Sequence, residues 1–320
     1  MKKLTIRLAA GFLLLSLIPI TARAQTLVAV GEVVGLELHN GIVTVAALDE
    51  GGSAAGDAGI LPGDVILSID GRPVSCGDDV KNALSRSDGT VQVCLERKGK
   101  PMEVHMTPEI TADGPKLGIY LRQGVTGIGT VTYYDPETGT FATLGHGVNG
   151  SDGSLLEMRT GKAYPARVVS VKKGRTGAPG QLMGTVDSPE PIGTLRANTA
   201  RGVFGESGTG FQGSVMEAAS PEEVRTGKAT ILSTVSGDSV QEYSVEILKL
   251  YPKARTSGRN MLIRVTDPTL LETTGGIVQG MSGSPIIQDG KLVGAVTHVL
   301  VNDPTTGYGI FIENMLDAAA

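Results

Sequence analysis

The sequence predicts a mainly β protein of two domains, and three observations carry this. At 320 residues the chain is long enough to bury two hydrophobic cores. Glycine is abundant, at 45 residues, while aromatics make up 4% and tryptophan is absent; short strands joined by glycine-rich turns fit that composition better than a helical bundle does. Short apolar runs also recur between turn signals from Val33 to the C-terminus. The formal net charge of -5 argues against a nucleic-acid binder, which usually shows a basic face.

The first element is an N-terminal segment, MKKLTIRLAAGFLLLSLIPITARAQ. Lys2, Lys3 and Arg7 form a basic end, and the apolar run Leu8 to Ile20 is too short for a comfortable membrane span. Ala22-Arg23-Ala24 offers small residues at the spacing a signal peptidase reads. Residues 1–24 are therefore expected to be a signal peptide cleaved before Gln25, or else an N-terminal membrane anchor. Both readings place the rest of the chain on the extracytoplasmic side, secreted or membrane-tethered.

Residues 25–112 read as the first folded module. Its strands are expected at VVGLEL, GIVTVAAL, DVILSID, TVQVCLE and MEVHM, with turn signals HNG, DEGG and RKGK between them, and one helix near Asp78 to Leu84. The run Gly51 to Ile66, GGSAAGDAGILPGDVI, followed by Ile69-Asp70-Gly71-Arg72-Pro73-Val74, resembles the signature of a bacterial PDZ domain. Such domains hold an extended peptide on an open sheet edge. Val34-Gly35-Leu36-Glu37 sits where the carboxylate-binding loop is expected, so Gly35 and Leu36 are the candidate peptide-binding residues. Cys76 and Cys94 cannot make a four-ligand metal site alone; two unpaired thiols are expected, with a disulfide as the alternative. The stretch TPEITADGP, Thr107 to Pro115, is expected to be a connector between domains.

From 113 to 320 the chain is again β-like. GIGTVTYYDPETGTFATLGHGV reads as strand, turn, strand, with the turn at Asp135 to Gly139, and further strands are expected at RVVSV, ATILSTV, YSVEILKLY, NMLIRVT, PIIQ and KLVGAVTHVL. Within GIVQGMSGSPII, Ser282 lies between Gly280 and Gly283 just ahead of a strand. Acyl transfer by serine needs an exposed hydroxyl, a base, and N–H donors aimed at the developing oxyanion. Glycines let the chain turn the N–H groups of Gly280 and Ser282 toward one point. GMSGSP is similar to the GDSGGP nucleophile loop of chymotrypsin-like proteases, with Met281 and Ser284 at the variable places. In that fold Val296, Thr297 and His298 would form the strand that pairs with substrate backbone.

Four histidines are available as base. His39 lies in the turn HNG and His105 on a PDZ strand, both expected to be surface residues. His146, in FATLGHGV at a strand end, is preferred over His298. For the acid that orients the base, spacing favours Asp187; Asp267, followed by proline, also reads as a helix N-cap.

The order PDZ, then LGHG, then VTDPTLLETTGGIVQGMSGSPIIQDGKLVGAVTHVLVNDPTTGYGIFIENML resembles the stage IV sporulation protein B family of serine peptidases, over about Val28 to Leu316. The resemblance implies a triad of His146, Asp267 and Ser282 on a chymotrypsin-like double β-barrel. It also implies export to the space between forespore and mother cell, cleavage of itself, and cleavage of a membrane-anchored regulator. Loss of that regulator frees an intramembrane protease that processes a mother-cell sigma factor. No metal or organic cofactor is expected. Two other readings stand beside this one: a general extracytoplasmic quality-control PDZ protease of the Deg type, whose PDZ domains usually follow the protease domain, and a non-catalytic PDZ adaptor with a relict protease domain.

Overall fold

The structure, a computed structural model, describes residues 25–150, 152–253 and 258–320. The expected export segment 1–24 lies outside the described residues. Strands dominate, and they form two barrels and a PDZ sheet.

Six strands close the first barrel through antiparallel pairings. In ring order they are Val33–His39, Val125–Asp135, Thr140–Thr143, Gly202–Glu206, Gly193–Thr199 and Thr160–Lys172. The second barrel also closes on itself, in the order Gly227–Ser233, Gln241–Leu250, Met261–Val265, Asp303–Phe311, Lys291–Leu300 and Pro285–Gln288. Their sequences alternate as half-buried strands should: Ala229, Ile231 and Ser233 point in on one strand, Tyr243, Val245 and Ile247 on the next. Closure leaves these ladders without open edges. A mainly β, double-barrel architecture is thus what the chain adopts.

The PDZ sheet runs Ile119–Arg122, Val43–Leu48, Val65–Ile69, Val91–Arg97 and Lys100–Met106, with Arg72–Pro73 beside Val65–Ile69. Its core is Val43, Val45, Ile60, Ile66, Ile69, Val93 and Leu95. Ser53 starts a short helix by accepting from Gly56 N. The helix Gly77–Leu84 begins where the Asp79 carboxylate accepts from Ser75 N and Cys76 N. Cys76 and Cys94 are unpaired.

The boundaries differ from those read in the sequence. Thr26–Ala29 and Val33–His39 lie outside the PDZ sheet: the first pairs with Val125–Asp135 and Ser214–Glu217, the second is a barrel strand. The PDZ sheet instead ends with Ile119–Arg122, which pairs with Val43–Leu48. Thr107 to Pro115 is no connector either, since Glu109–Thr111 and Gly114–Lys116 form a small hairpin. The module is therefore inserted between two neighbouring strands of the first barrel, through residues 40–42 and 123–124. The reason sequence misplaced it is that VVGLELH and LGIYLR carry the same pattern, a glycine followed by alternating apolar residues. Only pairing partners tell which one edges the PDZ sheet.

Candidate active site

The cleft between the barrels has a volume of about 450 Å³. The first barrel lines it with Leu36, Leu38, Val125, Ile128, Leu144 and His146; the second with Ile277, Val278, Gly280, Ser282, Thr297 and His298.

Ser282 belongs to the loop between the helix Pro268–Thr274 and the strand Pro285–Gln288. Buried threonines on the first barrel grip that loop by its carbonyls. Thr130 Oγ1 donates to Gly280 O at 2.8 Å and Thr130 N to Ser282 O at 3.0 Å. Thr132 Oγ1 donates to Gly283 O at 2.8 Å, and Thr143 Oγ1 steadies Thr130 O at 2.7 Å. Gly283 has φ +98, and a Cβ there would lie 2.0 Å from Thr130 O, so no other residue fits against the barrel. The N–H groups of Met281, Gly283 and Ser284 donate to Val278 O, Val296 O and Met281 O. Those of Gly280 and Ser282 donate to no backbone carbonyl among the described residues. The Gln279 carbonyl, on the far side of the peptide from the Gly280 N–H, accepts from Leu182 N, which fixes that peptide plane. Two free donors beside a serine are the elements of an oxyanion hole.

His146 follows Leu144 and Gly145, both at positive φ, which turns the chain sharply at the end of Thr140–Thr143. Asn198 braces the segment after it, accepting from Val148 N and donating to Val148 O and Leu156 O. His146 Nδ1 lies 2.9 Å from Gly147 O. A carbonyl only accepts, so Nδ1 carries the proton and Nε2 keeps the lone pair a general base needs. Burial pushes the His146 pKa below the usual histidine value. His298 stands beside it, ring centroids 5.1 Å apart and tilted 41°. Burial first, then the charges of His146 and Arg259, push His298 down to about 4. The Ser282 hydroxyl donates to Thr297 O at 2.8 Å, so it must swing from the strand to His146 before it can attack.

The predicted site residues part company here. His146, Ser282, Gly280, Thr297 and His298 meet in one cleft. Asp267 does not join them. Its carboxylate caps the helix Pro268–Thr274, accepting from Thr269 N at 2.9 Å, Leu270 N at 3.0 Å and Ser244 N at 3.3 Å. Asp187 pairs with Arg167 at 3.0 Å. Among the described residues no carboxylate forms an ion pair with His146. Val296 is also corrected: its N–H donates to Ser284 O and its carbonyl accepts from Gly283 N, which leaves nothing for substrate. Ser284 is fully buried and donates to Ser233 Oγ. His39 is not solvated, since its Nδ1 meets Gln123 O and its Nε2 meets Glu37.

Gly35 and Leu36 are corrected too. Gly35 faces Val186 and Tyr164 on the barrel, and Leu36 lines the cleft that holds Ser282 and His146. The edge strand of the PDZ sheet is instead Ile119–Arg122, which the chain enters through Leu117-Gly118. Gly118 has φ +71, and a Cβ there would approach Ser53 Cα to 2.9 Å. The signal that would have found it is the second glycine-apolar pattern, LGIYL, after the hairpin. Thr130, Thr132 and Thr143 gave no sequence signal, because threonine is an ordinary strand residue. Among the described residues no group of three or more His, Cys, Asp or Glu side chains is placed to hold a metal ion, and no helix is long and apolar enough to cross a membrane.

Comparison with known proteins gives two family matches. The SpoIVB peptidase S55 family matches residues 113–316, well over half of the chain, and the PDZ domain family matches residues 33–107. The PDZ match thus takes in Val33–His39, which the strand pairing gives to the barrel. Curated relatives are named as zinc metalloproteases: one from Rhizobium meliloti (strain 1021) is 40% identical over 30% of this chain, and one from Agrobacterium fabrum is 36% identical over 28%. The chain spans about a quarter of the length of these relatives, 25% and 23%. Among solved structures, the active form of the Rv3671c protease from M. tuberculosis matches 60% of this chain and 72% of its own at 15% identity and TM-score 0.38. The PDZ domain of an SdrC-like protein from Listeria monocytogenes matches 25% of this chain and 85% of its own at 23% identity and TM-score 0.22. At these scores the two structures add nothing to the fold read from the strand pairings. The match over residues 113–316, on a double barrel whose cleft holds Ser282 and His146, makes this chain a PDZ-containing member of the SpoIVB peptidase S55 family.

Proposed function

We propose that this peptidase is exported and cuts a membrane-anchored regulator of an intramembrane protease, and itself, in sporulation signalling. The space between forespore and mother cell is where it would act. The observation that carries the reading is the joining of a SpoIVB-type peptidase domain to a PDZ domain inserted in the wall of its catalytic cleft.

In the reaction, His146 Nε2 takes the proton of Ser282 Oγ as the oxygen attacks the scissile carbonyl. Gly280 and Ser282 N–H groups receive the oxyanion, the proton passes to the leaving amine, and water then releases the acyl group. The backbone carbonyl of Thr297, now holding the serine hydroxyl, lies where a substrate N–H would compete for it.

The PDZ domain would select the substrate. An extended segment would add to the edge strand Ile119–Arg122 beside the helix Gly77–Leu84. That helix is tied to the peptidase: Gln123 Oε1 accepts from Gly77 N, and Gln123 O meets His39 Nδ1 on a strand that lines the cleft. The test is reconstitution of the chain with the full-length regulator in lipid vesicles. Cleavage of the regulator in preference to an unfolded bystander protein supports the reading. Equal or better cleavage of the bystander points to a quality-control protease instead.

A further inference from the structure

The cleft that holds Ser282 and His146 does not stop at the first barrel. Val125 and Asn149 line it, and they also line a second cavity of about 750 Å³, so the two share a wall. That second cavity lies where the PDZ sheet meets the barrel. Ile42, Thr44 and Arg122 form its PDZ side, and Leu155, Glu157 and Arg159 stand on its barrel side. Ile42 and Thr44 turn to it because Val43 and Val45, the alternate residues of that stretch, are buried in the PDZ core.

The two linings differ. Among the described residues that wall the cleft there is no Asp, Glu, Lys or Arg. A charged side chain entering it would lose its water with no partner in return, whereas an aliphatic one gains contacts. In the junction cavity two large apolar side chains are left open, Ile42 at 47% exposed and Leu155 at 44%. Leu155 is held in place. Its turn is closed by Gly150 N donating to Ser154 O and Leu156 N donating to Val148 O, both at 2.9 Å. Its side chain leans over Gly147, next to His146, where a Cβ would meet its Cδ1. The charges in this cavity do not select a sign. Arg122 and Arg159 share it with Glu157 and with Asp152, whose carboxylate accepts from Ser154 N and Oγ.

We infer that the two cavities form one substrate track. An uncharged aliphatic stretch lies in the cleft across the scissile bond, and the same extended segment continues past Val125 and Asn149 to set a further apolar side chain between Ile42 and Leu155. Continuity names the occupant: a segment cut at Ser282 leaves the cleft along the wall that the junction cavity shares. At about 3.3 Å per residue, each cavity takes only a few residues of it. Ile42 and Leu155 are thus specificity-determining residues, and the peptidase reads a segment rather than a single side chain. This rests on the peptidase reading of Ser282 and His146.

The full chain is therefore treated first with a serine-reactive phosphonate. Without label on Ser282 the peptidase reading falls and takes this one with it. With label, the chain is given an unbiased synthetic peptide library, and the cut sites are mapped by mass spectrometry. Val, Leu or Ile should flank the scissile bond, with Asp, Glu, Lys and Arg rare there. A charged residue preferred beside the cut overturns the inference and leaves Ser282 as the nucleophile. The best site is then made as two synthetic peptides, a short form confined to the residues beside the cut and a long form extended at both ends. The ratio of kcat/KM for long over short should fall roughly tenfold in Ile42→Asp and in Leu155→Asp, while Ile42→Val keeps it. Both positions are half exposed, and melting curves check that each variant folds. Both forms are cut by the same serine, so the ratio cancels any general loss of activity. An unchanged ratio in both aspartate variants, or equal kcat/KM for the two forms in the wild-type chain, would end the track at Val125. The junction cavity would then serve another occupant, a second copy of the chain or a separate PDZ ligand.

Discussion

Replacing Asp267 by asparagine separates two roles that one residue could serve, and the structure assigns it the helix cap. Its Oδ1 accepts from Thr269 N and Leu270 N, and its Oδ2 from Ser244 N, a strand residue of the second barrel. Pro268 at the first helical position and Gly275 at φ +74 after the last complete the helix signals. Asparagine caps nearly as well as aspartate, so Asp267→Asn should cost at most about 1 kcal/mol. Asp267→Ala removes the cap, worth about 0.5–2 kcal/mol. It also removes the bond to Ser244 N, so its total should reach about 2–3 kcal/mol. At two to four degrees per kcal/mol, roughly the response of a domain this size, the alanine variant should melt some 4–12 °C lower. Turnover of a short peptide at a temperature where both variants are folded should stay within a few-fold of wild type. An acid that orients the base behaves in the opposite way, because its amide stabilises the wrong tautomer and lowers kcat by about 10⁴ while the fold is untouched. A loss of that size in Asp267→Asn, with an unchanged melting curve, would refute the helix-cap assignment and restore Asp267 to the triad.

Three further outcomes are expected. Ser282→Ala should abolish cleavage, a loss on the order of 10⁶ in kcat, with the melt preserved; Ser284→Ala, losing only a buried bond to Ser233, should cost about 1 kcal/mol in stability and little turnover. The acid limb of kcat/KM should lie below pH 6.5, because burial lowers the His146 pKa and the base acts only when neutral; an acid limb at or above the ordinary histidine value would contradict the burial of that ring. Stability should also fall as pH drops from about 6.5 toward 4, where the unfolded chain binds a proton that folded His298 refuses, and melting curves of His298→Phe should show a shallower fall over that window.

The sequence made the chemistry legible further than it made the topology. Ser282 between two glycines and His146 after LGHG stood out as candidates because a loop that presents a hydroxyl needs backbone freedom, which glycine advertises, and the structure brings the two to one cleft. The barrel strands could be found because half-buried strands alternate. Spacing favours Asp187 and the family resemblance favours Asp267, and the structure brings neither to His146: the aspartate before proline caps its helix and the other pairs with Arg167. His298 could be placed on the strand next to the serine, but its contact with His146 joins residues 146 and 298 across two barrels, and no local pattern encodes that. The PDZ edge was misread for a related reason. VVGLELH and LGIYLR are alike locally, and what separates them is that Val33–His39 is flanked by strands on both sides while Ile119–Arg122 has one open side.

That misreading bears on how the protein works. The strands on either side of the insertion are neighbours: Leu38 lies opposite Val125, and Leu36 opposite Gly127. These residues wall the catalytic cleft, and a few residues along the same strand Thr130 grips the nucleophile loop. A PDZ domain attached by a long linker could raise the local concentration of a bound segment and do nothing more. Here it hangs from residues 40–42 and 123–124, with Gln123 bonded to the groove helix through its side chain and to His39 through its carbonyl. A peptide that shifts the helix Gly77–Leu84 must either break the Gln123 contact or carry it along. The strand Val125–Asp135, which takes the chain back from the PDZ insertion, also holds the Ser282 loop through Thr130 and Thr132, so a displacement at Gln123 has a direct path along one strand to that loop.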